Sequence, residues 1–173
     1  MSQVYPWNIE SMIDIRPHHS TDQSALLQLM AELQEHLSAM DPLKRIRNIE
    51  DFDGAKYIDH LLEKVRHDKG EIFVAEEQDK LLGFIAGTIP NEDPDDALDH
   101  YPAKEGNIIE LVVSQKHRGQ GAGRALMEKM ETYFREKNCE YIRVGCFAPN
   151  TGTHVFYEKC SYTDRYTEML KKL

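Results

Sequence analysis

The chain has 173 residues, with 21 Lys and Arg against 30 Asp and Glu, a formal charge of −9. That length suits one domain with its own core and is short for two. At 40% hydrophobic and 29% charged, the composition is that of a globular chain and not a disordered one. The acidic balance argues against a protein that coats nucleic acid or an anionic membrane. The three cysteines, Cys139, Cys146 and Cys160, have no CxxC spacing, which excludes a zinc ribbon or disulfide framework and points to a reducing, cytoplasmic setting. The first ten residues lack the basic and apolar regions of a signal peptide, and no apolar run approaches the roughly 20 residues of a membrane span.

Residues 12–16 alternate apolar and polar and read as a first strand. Ser20 or Thr21 then caps a helix with Leu26, Met30, Leu33 and Leu37 on one face, stopped by Asp41 and Pro42. A second helix follows Asp53 and Gly54, with Ile58, Leu61, Leu62 and Val65 inward, and ends near Gly70. Residues 71–76 and 81–89 form a hairpin around a polar turn at 78–80. Residues 90–106 are loop. Residues 108–113 are the most apolar strand, and 121–137 are a helix with Leu126, Met130, Tyr133 and Phe134 inward. Residues 141–147 are a strand, 151–159 a short helix capped by Asn150, and 162–170 a last strand. A hairpin combined with βαβ units implies one mixed sheet flanked by helices, α/β or α+β. The chain reads as a single domain over 1–173, with 1–11 as an extension.

The most informative segment runs from Ile108 to Arg124. A strand enters a turn with three glycines in five residues, Gly119, Gly121 and Gly123, and a helix opens at once. Free amides at a helix start, its dipole and close backbone approach make a place for a phosphate or pyrophosphate. Lys116, Arg118 and Arg124 add side-chain charge. Residues 115–146 hold seven basic and four acidic residues, so this part is +3 and the remainder −12. The glycines alone also fit a tight turn with no ligand. A Rossmann fingerprint would need GxGxxG early in the chain and an acid after the next strand, and a Walker loop would need GK[ST]; neither is present.

Arg118-Gly119-Gln120-Gly121-Ala122-Gly123, after Leu111-Val112-Val113, resembles the acyl-CoA signature of the GNAT (Gcn5-related N-acetyltransferase) family. Asn150 through Phe156-Tyr157-Glu158-Lys159-Cys160-Ser161-Tyr162 resembles the family's last block. Ser161 stands where glycine is usual, Tyr162 where phenylalanine is, and Thr153 where alanine is frequent. The resemblance implies a mostly antiparallel sheet of about six or seven strands, with the fourth and fifth splayed apart. It implies acetyl-CoA as co-substrate and direct transfer of the acetyl group to a primary amine of a small molecule or protein.

By the same resemblance, Leu111, Val112 and Val113 pair with the pantetheine arm, and the Val113 N–H polarises the thioester carbonyl. Arg118, Gly119, Gln120, Gly121, Ala122, Gly123 and Arg124 hold the pyrophosphate. Asn150 contacts the cofactor arm or merely caps its helix. Tyr157 is the general acid near the sulfur, against the plainer reading of a core aromatic. Glu110 is the first candidate for general base, with His117 and His154 as alternatives and a solvated carboxylate as the plain reading. No metal site is expected: His18 and His19 lack identifiable partners.

The acidic run at 92–99 reads as a solvated loop or as steering for a cationic amine. A homodimer is open. The competing classes are a CoA-binding regulatory module without turnover and a structural, partner-binding domain.

Overall fold

The computed structural model describes residues 13–95 and 98–173. The elements run β1 (Asp14–Pro17), α1 (Gln23–Met40), α2 (Gly54–His67), β2 (Glu71–Glu77), β3 (Lys80–Thr88), β4 (Glu105–Val113), α3 (Ala122–Glu136), β5 (Tyr141–Val144) and α4 (Thr151–Lys159). The expected start of the first strand at Met12 and the extension at 1–11 lie outside the described residues.

Apolar faces place the helices. Leu26, Leu29 and Met30 of α1 and Ile58, Leu61 and Val65 of α2 bury against one face of the sheet, with Val74, Phe84 and Val112 beneath them. Leu126, Met127, Met130 and Phe134 of α3 bury against the other face. Gly87 and Gly106 let that helix come close: a Cβ on either would collide with Phe134.

The five strands lie in sequence order, antiparallel except for β4 and β5, which are parallel. The turn between β2 and β3 is tighter than expected. Glu77 pairs with Lys80, and Gln78 and Asp79 both take left-handed backbone, as a two-residue I′ hairpin requires.

The sequence reading needs three corrections. Residues 162–173 form no strand, so the described sheet has five strands and not six or seven. A strand exists only by pairing, and beyond the Tyr162 turn bond to α4 this segment is held by side-chain contacts, such as His154 with Asp164 and His100 with Tyr166. The strand expected at 141–147 pairs only through Val144. Third, Ser20 and Thr21 do not cap α1. They form a short 3₁₀ turn closed by Asp22, whose carboxylate accepts from the His19 amide and from Arg16.

Arg16 also pairs with Glu76, which ties β1, β2 and the start of α1 together. The Arg16 hydrogen bonds, helped by the His19 amide, hold the buried Asp22 carboxyl down at about 2 against an ordinary 3.8. A lowered folded-state value stabilises the fold above the unfolded value and is lost as pH falls from about 4 to about 2. Asp22→Asn should therefore cost about 2 kcal/mol at neutral pH. Urea melts of both proteins should converge as pH drops through that window.

Candidate active site

The sheet splits between β4 and β5. Their pairing runs from Glu105–Tyr141 to Ile108–Val144 and stops, while β4 continues beside β3 as far as Val113. The β5-facing edge of β4 from 109 to 113 is therefore open. Ser114 N–H donates to Leu82 O at 2.8 Å on the β3 side. Backbone groups alternate along a strand, so those of Leu111 and Val113 point into the gap. Arg118 Nε reaches the Val113 carbonyl from that side at 3.1 Å.

A bulge decides what faces the two sides. Ala86 pairs with Glu110 but Gly87 pairs with Ile108, which leaves Ile109 extra. Before the bulge, Gly106 and Ile108 face α3; after it, Leu111 and Val113 do. Ile109 and Glu110 both fall on the α1–α2 face. Bulges re-aim side chains in this way. The regular alternation of β4 would have pointed Glu110 at α3.

Glu110 receives a hydrogen bond from the Tyr57 hydroxyl of α2. Burial pushes its carboxyl up, and the Tyr57 bond opposes that rise. No Lys, Arg or His pairs with Glu110 among the described residues. Burial likewise pushes the Tyr57 phenol up, with the Glu110 charge adding to it. Tyr57 was missed in the sequence. The signal was its position four residues before Leu61, on the inward face of α2, where a phenol needs a partner for its hydroxyl.

Beyond the gap lies the glycine turn. Gly119 and Gly121 take φ of +77° and +94°, and a Cβ on either would meet open space. No backbone carbonyl among the described residues accepts from the amides of Gly119, Gln120 or Gly121. The first-turn amides of α3 have no partner within the helix. The turn thus leaves unpaired N–H donors at a helix start, where an anion is favoured. Gly123 differs: a Cβ there would only touch Phe156 and Val113. Ala122 is buried in the core and roots the helix. Arg124 is paired with Glu128 at 2.9 Å.

Tyr157 of α4 packs in the same core cluster as Leu111 and Val113 of β4 and Val144 of β5. It is 8% exposed, its ring packs between Phe156 and Tyr162, and its hydroxyl bonds to no protein group among the described residues. Burial pushes its phenol well above the ordinary value, with Cys146 and Glu110 contributing. It therefore holds its proton at neutral pH. Asn150 caps α4, accepting from the Thr153 amide at 3.3 Å.

After α4 the chain makes a Schellman turn, in which Ser161 N–H donates to Glu158 O and Tyr162 N–H to Tyr157 O. Ser161 sits at φ +68°, so it keeps the backbone of the usual glycine despite its Cβ. Ser161→Gly should relieve that strain and raise stability by about 0.5–1 kcal/mol, read as a higher urea midpoint.

The other two base candidates have different surroundings. His154 is bound to Asp164 at 2.8 Å, which pushes its imidazole up, and so it is engaged with the C-terminal segment. His117 lies in the turn after β4 with Nε2 buried and unpartnered. Among the described residues, no group of three or more His, Cys, Asp or Glu is placed to hold a metal ion. No described helix is long and apolar enough to cross a membrane. Loop residues 91–93 share a hollow of about 1410 Å³ with Lys69, Tyr133, Lys137 and Arg143, at the start of β4 and five residues before Glu110. The α1–α2 loop, which reaches the Tyr57 ring through Phe52, carries a second hollow. There Lys44, Arg45 and Arg47 line a hollow of about 410 Å³ and make no ion pair among the described residues.

The model of the acetyltransferase (GNAT) family matches residues 30–162. An uncharacterized N-acetyltransferase of Methanocaldococcus jannaschii is 32% identical over 94 residues, 54% of this chain and 53% of that protein. Glucosamine 6-phosphate N-acetyltransferase of Candida albicans is 32% identical over 73 residues, 42% of this chain and 47% of that protein. The chain thus spans about half the length of these relatives. Among solved structures, the Arabidopsis thaliana glucosamine-6-phosphate N-acetyltransferase superposes with a TM-score of 0.66 at 20% identity, covering 93% of this chain and 98% of that one. AAC(6')-Iy in complex with the bisubstrate analogue CoA-S-monomethyl-acetylneamine superposes at 0.68 and 15% identity, covering 94% and 99%. At such identities the likeness is one of fold.

Proposed function

Because the chain belongs to the GNAT family of acetyltransferases, we propose that it is an acetyl-CoA-dependent N-acetyltransferase acting on a primary amine by direct attack. The observation that carries this reading is the open edge of β4, with the free amides of the glycine turn beyond it and Tyr157 packed in one cluster with Leu111 and Val113 of that strand. Acetyl-CoA, when bound, supplies the acetyl group as an activated thioester.

The amides of Gly119 to Arg124 hold the pyrophosphate, with Arg118 and Lys116 adding positive charge. The outward backbone groups of Leu111 and Val113 pair with the pantetheine arm, and Val112 anchors the strand from the opposite face. The Val113 N–H stabilises charge on the carbonyl oxygen. Glu110 takes a proton from the ammonium form of the acceptor, which leaves the nitrogen lone pair free to attack. Tyr157 holds, at its hydroxyl, the proton that the sulfur takes as the C–S bond breaks, and regains one as the amine nitrogen gives up its second proton on becoming an amide. Asn150 shapes the entrance of α4, and its side-chain NH₂ is the group that can face the arm.

The acceptor is a primary amine, cationic until Glu110 deprotonates it. Lys44, Arg45 and Arg47, on the loop whose Phe52 packs against Tyr57, favour an acceptor that also carries an anionic group, such as an amino sugar phosphate. The acidic loop at 92–99 is not needed for this. A single cytoplasmic domain, active as a monomer or homodimer, completes the proposal.

Titration calorimetry with acetyl-CoA tests the co-substrate half. Saturable binding that desulfo-CoA competes away supports the reading. No heat and no thermal shift at millimolar acetyl-CoA would leave a structural or partner-binding domain.

A further inference from the structure

Glu110 is held by a residue from another element. Tyr57 stands in the first turn of α2 and donates its hydroxyl to Glu110 Oε1. Phe52 steadies the Tyr57 ring, with centroids 5.6 Å apart. Ile58, Leu61 and Val65 fix α2 in the core, so the donor is as rigid as the strand it reaches.

We propose that Tyr57 is the positioning residue of the acceptor site: it clamps Glu110 Oε1 and leaves Oε2 to take the proton of an incoming ammonium. This rests on the reading of Glu110 as base. A lone carboxylate on a strand samples several rotamers, and a fixed one presents a single oxygen in one direction. Phe52 and Tyr57 also set an aromatic wall beside the carboxylate, a surrounding that suits an ammonium.

The groups that face Glu110 are few. Tyr57 comes from α2. Tyr157, from α4, feels the Glu110 charge. The β3 residue opposite is Ala86. On α1, Glu32 is engaged farther along by Ser114 and Gln115. Among the described residues, Tyr57 is thus the one group that favours the ionised carboxylate through a hydrogen bond, against the burial that disfavours it.

The test is Tyr57→Phe, which keeps the ring and its packing. Protein labelled with [¹³C]carboxyl-glutamate is titrated by NMR, and Glu110→Gln assigns the Glu110 signal. The Glu110 midpoint should rise in Tyr57→Phe, and rise less in Phe52→Leu, which only loosens the ring. In parallel, kcat/KM is followed against pH by thiol release from acetyl-CoA, with whichever of glucosamine 6-phosphate, neamine, spermidine or a lysine peptide turns over. The acid limb should move to higher pH, and the alkaline plateau should stay below the parent's, because the freed carboxylate no longer presents one oxygen in one direction.

An unchanged Glu110 midpoint overturns the proposal, and so does a raised midpoint with an unmoved acid limb. Glu110→Gln with full turnover, or no turnover with any of the four amines, instead removes the base reading; the titration still decides whether the clamp exists.

Discussion

Tyr157→Phe should lower acetyl transfer by roughly tenfold to a thousandfold, the range of a lost acid–base group, with acetyl-CoA affinity nearly unchanged. The substitution removes one oxygen and nothing else. The ring stays in its place between Phe156 and Tyr162. The hydroxyl bonds to no described protein group, so its loss leaves no buried partner stranded, and the fold should hold. Burial keeps the phenol protonated well above the ordinary tyrosine range, so the parent enzyme keeps its acid throughout the neutral region. Steady-state thiol release and calorimetry on the same preparations separate the two effects. Equal turnover in the two proteins would take Tyr157 out of the mechanism, and a parallel loss of affinity would make it a binding residue.

Gly121→Val should act through the cofactor side. Gly121 sits at φ +94°, a conformation that a β-branched residue adopts only at a cost of about 1–3 kcal/mol. A Cβ there would stand in open space beside the free amides of the turn, so on the proposed reading a side chain would intrude on the bound pyrophosphate. Acetyl-CoA affinity should fall by at least about tenfold, which is about 1.4 kcal/mol. Gly121→Asn separates the two causes, because asparagine tolerates left-handed backbone but still occupies the space. It should melt close to the parent and bind acetyl-CoA as poorly as the valine variant. Unimpaired binding by the asparagine variant would place the pyrophosphate elsewhere.

The helices were legible because burial repeats along them. Ile58, Leu61 and Val65 mark one face of α2, and all three are buried. The glycine turn was legible because few other residues adopt its conformation, and Gly119 and Gly121 both do. What failed to show depends on pairing between distant segments. Nothing in the local pattern of residues 105–113 marks Ile109 as a bulge, yet that bulge puts Glu110 beside Tyr57. Residues 162–170 have strand-like side chains, but a strand needs a neighbour and none of the described segments pairs with them.

The charge split also changed meaning. The +3 segment does contain the anion-ready turn. Loop residues 92 and 93, however, lie at the far end of β4, and the loop that reaches Tyr57 through Phe52 carries the basic run Lys44, Arg45 and Arg47.

The most direct measurement is free-thiol release from acetyl-CoA, with mass spectrometry of the amine, across glucosamine 6-phosphate, neamine, spermidine and a lysine peptide. The account predicts one thiol per acetylated amine with at least one of these, abolished or strongly reduced in both Tyr157→Phe and Glu110→Gln. Thiol release at the uncatalysed rate with all four, from protein that binds acetyl-CoA, would contradict catalysis and leave a CoA-binding module.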